Sequence, residues 1–144
     1  FFLREDSDKP IVFVANNTGF APIKAMMESI IAKGITRPVT FYWGGRRPQD
    51  LYMNDIVEQW ARDLPFFKYV PVLSNALAED NWQGRTGSLH QAVLDDFEDL
   101  SGYQVYACGA PSVVESARKA FTKERALPDT EFFADAFTSA KDKP

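Results

Sequence analysis

Ile11-Val12-Phe13-Val14-Ala15-Asn16-Asn17-Thr18-Gly19-Phe20-Ala21-Pro22-Ile23 is the stretch that decides the architecture. Its first five residues are a continuous apolar run, the pattern of a strand buried on both faces. A turn of Asn, Thr and Gly follows. From Pro22 to Lys33, Ile23, Met26, Met27, Ile30 and Ile31 recur at helical spacing. Proline is tolerated in a first turn, and Gly34 supplies a helix stop.

The same alternation continues along the chain. Strands are predicted at Val39-Thr40-Phe41-Tyr42-Trp43, 67–73, 103–108 and 131–134, and helices at about 52–61, 88–97 and 111–124. Pro71 favours an edge position for the third strand. Ser74 to Arg85 reads as a polar loop, long enough to serve a function. Strands alternating with helices of this length predict an α/β, doubly wound, Rossmann-like fold with a parallel five-stranded sheet. Right-handed crossovers favour the strand order 3-2-1-4-5. Ligands of such sheets sit at the carboxyl ends of the strands, here near the switch between strands 1 and 4.

Two segments meet at that switch. Asn16-Asn17-Thr18-Gly19 opens directly into a helix, presenting backbone N–H groups and a positive helix end to a pyrophosphate. It also reads as a plain strand-to-helix turn that needs positive φ. Ala107-Cys108-Gly109-Ala110-Pro111-Ser112 lies beside it. Gly109 admits a close ligand, and Cys108 is expected to turn its sulfur into the crevice, with a buried structural cysteine as the other reading.

The composition narrows the field. The chain has 144 residues, 45% hydrophobic and 25% charged, and a net charge of −4. No basic face is forced, so nucleic acid is not an expected partner. No apolar run approaches a membrane span. A single cysteine excludes an internal disulfide, and a cysteine-ligated cluster or structural zinc built by this chain alone. A single histidine, His90, excludes a multi-histidine metal site; it reads as a surface or packing residue. Asp95, Asp96, Glu98 and Asp99 read as a solvated face. No metal site is expected, and no targeting signal is visible, so the expected location is cytoplasmic.

Thr18-Gly19-Phe20-Ala21-Pro22-Ile23, Tyr42-Trp43-Gly44-Gly45-Arg46, Trp82-Gln83-Gly84-Arg85-Thr86-Gly87 and Cys108-Gly109-Ala110-Pro111 resemble, in order and spacing, the pyridine-nucleotide domain of the ferredoxin–NADP reductase superfamily. Phe132-Phe133-Ala134-Asp135-Ala136-Phe137 is similar to that family's last strand. The resemblance is strongest to the iron–sulfur flavoprotein reductases of bacterial oxygenases and to the CDP-deoxyglucoseen reductases. It implies the NAD(P)H-binding half of a reductase that positions nicotinamide for hydride transfer to FAD, with electrons passing on to an iron–sulfur centre. FAD and a 2Fe–2S cluster are expected in the full-length protein, not on this chain. Residues 1–9 would be the tail of a preceding flavin-binding domain, and residues 10–144 the nucleotide domain. A flavin-binding domain and a ferredoxin-type domain of the same polypeptide are the expected partners, with an oxygenase or dehydrase as acceptor downstream.

The resemblance also implies roles. Thr18 and Gly19 would line the nicotinamide–flavin contact. The helix holding Pro22 would face the pyrophosphate. Gly44, Gly45 and Arg46 would flank the adenosine. Cys108 and Gly109 would lie under the nicotinamide, followed by Pro111. Phe133 and Asp135 would approach the flavin. Asn16 and Asn17 stand where the family usually has glycine; they either donate hydrogen bonds to the phosphates or narrow the crevice. After strand 3, Ser74 and Asn75 precede Glu79 and Asp80, which disfavours a 2′-phosphate and favours NAD(H) over NADP(H). Arg85, Arg46 and Arg47 are the opposing consideration. Two other readings remain open. One is a non-catalytic nucleotide-binding or docking module. The other is a flavodoxin-like or receiver-like domain, which would want hydroxyls or acids where Asn16 and Asn17 stand.

Overall fold

The computed structural model describes residues 2–136, without the side chain of Thr18. Phe1 and residues 137–144, including Phe137, lie outside the described residues. The strands are β1 (Ile11–Asn16), β2 (Val39–Gly45), β3 (Phe67–Leu73), β4 (Arg85–Thr86), β5 (Gln104–Gly109) and β6 (Phe132–Ala136). The helices are α1 (Phe20–Lys33), α2 (Asn54–Asp63), α3 (Leu89–Asp96) and α4 (Pro111–Glu124). All strand pairs are parallel, in the order β4-β3-β2-β1-β5-β6.

The sheet therefore has six strands, not the five expected in the order 3-2-1-4-5. The addition is β4, which pairs Val72 with Arg85 and Leu73 with Thr86. Two polar residues carry no hydrophobic period, so only tertiary pairing reveals them. β3 is thus edged by β4, but only at Val72 and Leu73, one residue beyond Pro71. The last strand also lies further along than 131–134, because Glu131 belongs to a 3-10 turn.

Period-two alternation in β1 builds both cores. Ile11, Phe13 and Ala15 pack on the α1 side with Phe20, Ile23, Met27 and Ile30. Val12 and Val14 pack on the other side with Val93, Val114, Ala117 and Phe121. The Phe20 ring stacks on Trp43 at 4.3 Å between centroids, locking the start of α1 to β2. α1 begins two residues before Pro22, which still falls in the first turn, where no N–H is needed. Gly34 ends it in the left-handed region, its N–H bonded to the carbonyls of Ile30 and Ile31.

At the amino ends of the strands, Arg37 ties down the entry segment. Its guanidinium donates to the carbonyls of Lys9 (2.7 Å) and Arg4 (2.9 Å) and to Oε1 of Gln104 (2.8 Å). Gln104 in turn donates to Glu131, which also receives Lys9 at 2.9 Å.

Candidate functional site

The carboxyl ends of β1, β2, β3 and β5 open on a cleft of about 280 Å³. Asn16, Gly44, Gly45 and Ser74 form its floor; Ser88 and His90 of the α3 start and Ser112 and Ser116 of α4 form its walls. This is the switch point, where chains leave β1 and β5 toward opposite faces. Neither α3 nor α4 has a side-chain hydrogen bond at its N-cap. The first-turn N–H groups of α3 remain donors, and in α4 that of Ser112 does, since Pro111 has no N–H and Val113 donates to the Ala110 carbonyl at 3.0 Å. No carboxylate lines the cleft among the described residues. Such a surface accepts an anion.

Glycines make the floor possible. A Cβ on Gly44 would lie 3.2 Å from the Leu89 methyls, and one on Gly45 would lie 2.8 Å from Cβ of Asp50. Gly19 is fixed by backbone: its Cβ would sit 2.5 Å from the Cys108 carbonyl oxygen. Gly109, at φ +145°, packs against Asn16. The β1 and β5 loops are thus in contact, as the strand order predicts.

Asn17 adopts φ +50°, a left-handed conformation that asparagine tolerates better than most residues. Its carbonyl accepts from Nε1 of Trp43 at 3.0 Å. Asn16 faces the cleft, and neither Asn side chain has a hydrogen-bond partner among the described residues. Thr18 contributes its backbone to the 3-10 turn Asn17–Gly19; its side chain lies outside the described residues.

Other expected residues fall elsewhere. Cys108 does not turn its sulfur into the crevice. Alternation in β5 sends it, with Tyr106, into the core on the α1 side, where it is 1% exposed. Burial, and the nearby Asp135 carboxylate, push its thiol well above the usual range. Pro22 and Asp135 line a separate cavity of about 380 Å³ on the α1 face, together with Phe2, Leu3 and Met26. Phe133 stacks on Tyr106 at 4.9 Å and carries the Arg4 guanidinium over its ring at 4.5 Å. Pro111 is the first residue of α4.

The cations around the loop after β3 are mostly committed. Arg47 binds Asp80 at 2.7 Å and Glu79 at 3.4 Å. Its guanidinium, with the Leu77 N–H, holds the Asp80 carboxyl below the usual range. Arg85 binds Asp96 at 3.0 Å and the Ala92 carbonyl, so Asp96 is not a merely solvated acid; it also accepts from the Tyr42 hydroxyl. Arg46 makes no ion pair among the described residues. Ser74 donates to Oδ1 of Asn75. Trp82 folds over Gly84 and donates to the Arg85 carbonyl at 2.8 Å, which shapes the turn into β4. His90, Ser88 and Ser116 were not singled out by motif; Ser88 and His90 are signalled only by their place at the start of α3 at the switch point, and Ser116, the sixth residue of α4, by no signal in the sequence.

Comparison with known proteins gives concordant results. The oxidoreductase NAD-binding domain model matches residues 13–119. CDP-6-deoxy-L-threo-D-glycero-4-hexulose-3-dehydrase reductase of Yersinia pestis is 45% identical over 98% of this chain and 41% of its own length. NAD(P)H-flavin reductase of Vibrio harveyi is 32% identical over 94% of this chain and 56% of its own. The crystal structure of the Amycolatopsis cytochrome P450 reductase GcoB superposes with a TM-score of 0.83 at 32% identity, over 94% of this chain and 40% of that one. The chain thus spans roughly half or less of the length of these relatives.

Proposed function

Because the chain belongs to the oxidoreductase NAD-binding domain family, we propose that it is the nucleotide-holding part of a flavoprotein reductase. The observation that carries this reading is the cleft itself: a glycine floor, the free N–H groups of the α3 start with that of Ser112 in α4, and no lining carboxylate among the described residues. Those features fit a pyridine dinucleotide. The first-turn N–H groups of α3 and the N–H and hydroxyl of Ser112 would hold the pyrophosphate. Gly44 and Gly45 would let the ribose approach the backbone. The packed loops at Gly19 and Gly109 would give the nicotinamide a rigid edge to lie against, with Cys108 supporting them from below. A bound nicotinamide supplies the hydride, which in this reading goes to FAD held outside this chain. The chain's own task is binding, orientation and exclusion of water.

The relatives' names include dehydrase and flavin reductases. In this reading electrons would pass on to an iron–sulfur centre and then to a dehydrase or oxygenase. With one cysteine in 144 residues, the cluster belongs to another part of the protein. Residues 1–9 would be the tail of the flavin-binding domain. Exposed Phe2, at 61%, together with the α1-face cavity and Phe133, would meet that domain.

NADH is the preferred nucleotide in this reading. Arg47 and Arg85 are held by carboxylates, and Asn75 offers no charge to a 2′-phosphate. Calorimetry with both nucleotides tests it. NADH should bind about ten-fold more tightly than NADPH, a difference near 1.4 kcal/mol, and Asn75→Arg should narrow the gap. Tighter binding of NADPH by the unaltered chain would mean that Arg46 serves the 2′-phosphate. No binding of either nucleotide would remove the reading altogether.

A further inference from the structure

We infer that Trp43 is a positioning residue for the nicotinamide end of the nucleotide, its indole holding the turn between β1 and α1 in the shape that presents an edge to that ring. This placement rests on the reading of the cleft as a dinucleotide site, and it assigns a role to a side chain outside the cleft. Trp43 is fully buried on β2, in register with Ala15, the residue of β1 two positions before Asn17. Its Nε1–H donates to the Asn17 carbonyl at 3.0 Å. Its ring face stacks on Phe20, the first residue of α1, at 4.3 Å between centroids and 15° between planes. The two contacts grip the turn Asn17–Gly19 at both ends. The indole is itself fixed, with Phe41 stacked on it at 5.9 Å and Tyr52 meeting it edge-on at 5.5 Å.

The turn needs such a hold. Asn17 sits at φ +50°, where a Cβ crowds the backbone. Among the described residues, Asn17, Asn81 and Ala126 are the non-glycine residues with positive φ, and of these only Asn17 adjoins a residue lining the cleft, Asn16. Without the indole donor, the turn can relax toward ordinary backbone. Two residues on, Gly19 leaves it no slack, because a Cβ there would lie 2.5 Å from the Cys108 carbonyl oxygen. A relaxed turn therefore presses on β5 or swings away from it, and the edge formed by Gly19 and Gly109 moves. The rest of the cleft is built by Gly45, Ser74 and the α3 start, which do not share this hold. The loss of Trp43 is thus felt at the nicotinamide. A tryptophan that only filled the core would lower stability and leave the relative affinity for the two ends of the nucleotide unchanged.

Calorimetric titration with NADH and with ADP-ribose tests this, since ADP-ribose keeps the adenosine, the pyrophosphate and the second ribose and lacks only the nicotinamide. Trp43→Phe keeps a ring against Phe20 and removes the donor. It should weaken NADH on the order of five-fold, the worth of one hydrogen bond, and ADP-ribose by less than about two-fold. Asn17→Ala raises the cost of the left-handed turn from an exposed position, so it decides the case without a core substitution, and it should give the same split. Glycine adopts positive φ readily, so in an Asn17→Gly background Trp43→Phe should weaken NADH by less than about two-fold. Equal weakening of both ligands, unchanged NADH affinity in Trp43→Phe or Asn17→Ala, or no rescue in the Asn17→Gly background overturns the role of Trp43 and leaves the nucleotide site standing. Equal affinity of the unaltered chain for NADH and ADP-ribose does the same. Failure of both ligands to bind the unaltered chain overturns the site itself.

Discussion

At Cys108 the thiol is enclosed by the α1-side core, and its properties follow from that enclosure. Burial disfavours the thiolate, so the folded chain keeps the proton that the unfolded chain releases near pH 8.5. A group whose folded pKa is raised contributes stability that is fully present below the unfolded value and lost as pH rises past it. Unfolding free energy should therefore fall by about 1.4 kcal/mol per pH unit above about pH 8.5. Denaturant melts from pH 8 to 10 would show this, and Cys108→Ala should abolish the slope up to the tyrosine range. The same variant should cost about 1 kcal/mol at pH 7 from lost packing. In a reductase of the kind proposed, flavin reduction by the folded variant should stay near the normal rate, because the sulfur is buried in the α1-side core and does not line the cleft. A large fall in that rate would show that the sulfur does act at the nicotinamide. Gly19 is the more sensitive position. A methyl there meets a backbone oxygen at 2.5 Å, so Gly19→Ala must push the β1 and β5 loops apart. It should weaken NADH binding by at least about ten-fold, roughly 1.4 kcal/mol, as read by nucleotide titration. Unchanged affinity would detach those loops from the nucleotide.

Among the elements, the link between the entry segment and the sheet depends on Arg37. Removing its guanidinium strips three acceptors, the carbonyls of Arg4 and Lys9 and the Gln104 side chain. Arg37→Ala should lower stability by about 3 kcal/mol, with residues 2–10 losing amide protection first. Gln104 would retain the Tyr106 hydroxyl at 2.9 Å, so the β5 core should persist. Elements with a hydrophobic period were legible in advance: the apolar runs of β1 and β2, and α1 with Met26, Met27 and Ile30. Those without one were not. Arg85–Thr86 becomes β4 because Gly87 N–H reaches the Leu73 carbonyl at 3.0 Å, a contact 14 residues apart in sequence. The site divides in the same way. Gly19, Gly44, Gly45 and Gly109 are marked by residue type and by position after a strand. His90 and Ser116 carry no such mark, since a histidine or serine on a helix is ordinarily surface. Cys108 was misplaced because strand parity, not proximity to the crevice, decides which face a side chain enters.

On the scale of the whole molecule, the chain places the candidate cleft at the carboxyl ends of the strands and a second cavity, lined by Phe2, Leu3 and Met26 with Glu5, Lys33 and Asp135, on the α1 face. In the proposed reading, hydride transfer needs an acceptor ring beside the cleft, and one cysteine in the sequence cannot ligate a cluster by itself. The chain has no metal-binding group of three or more His, Cys, Asp or Glu among the described residues. The purified chain should therefore bind NADH yet fail to reduce ferricyanide or a tetrazolium dye with it, since orientation without an acceptor lowers no barrier. Joined to a flavin-binding domain of the kind proposed above, it should support rapid bleaching of the bound flavin by NADH. Arg4→Ala, which frees Phe2 and Phe133 from their shared cation, should then slow bleaching while leaving nucleotide affinity within about two-fold, because neither ring lines the cleft. Steady NADH oxidation by the chain alone, at ordinary enzyme rates and without added flavin, would place the acceptor chemistry within these 144 residues and refute the division of labour.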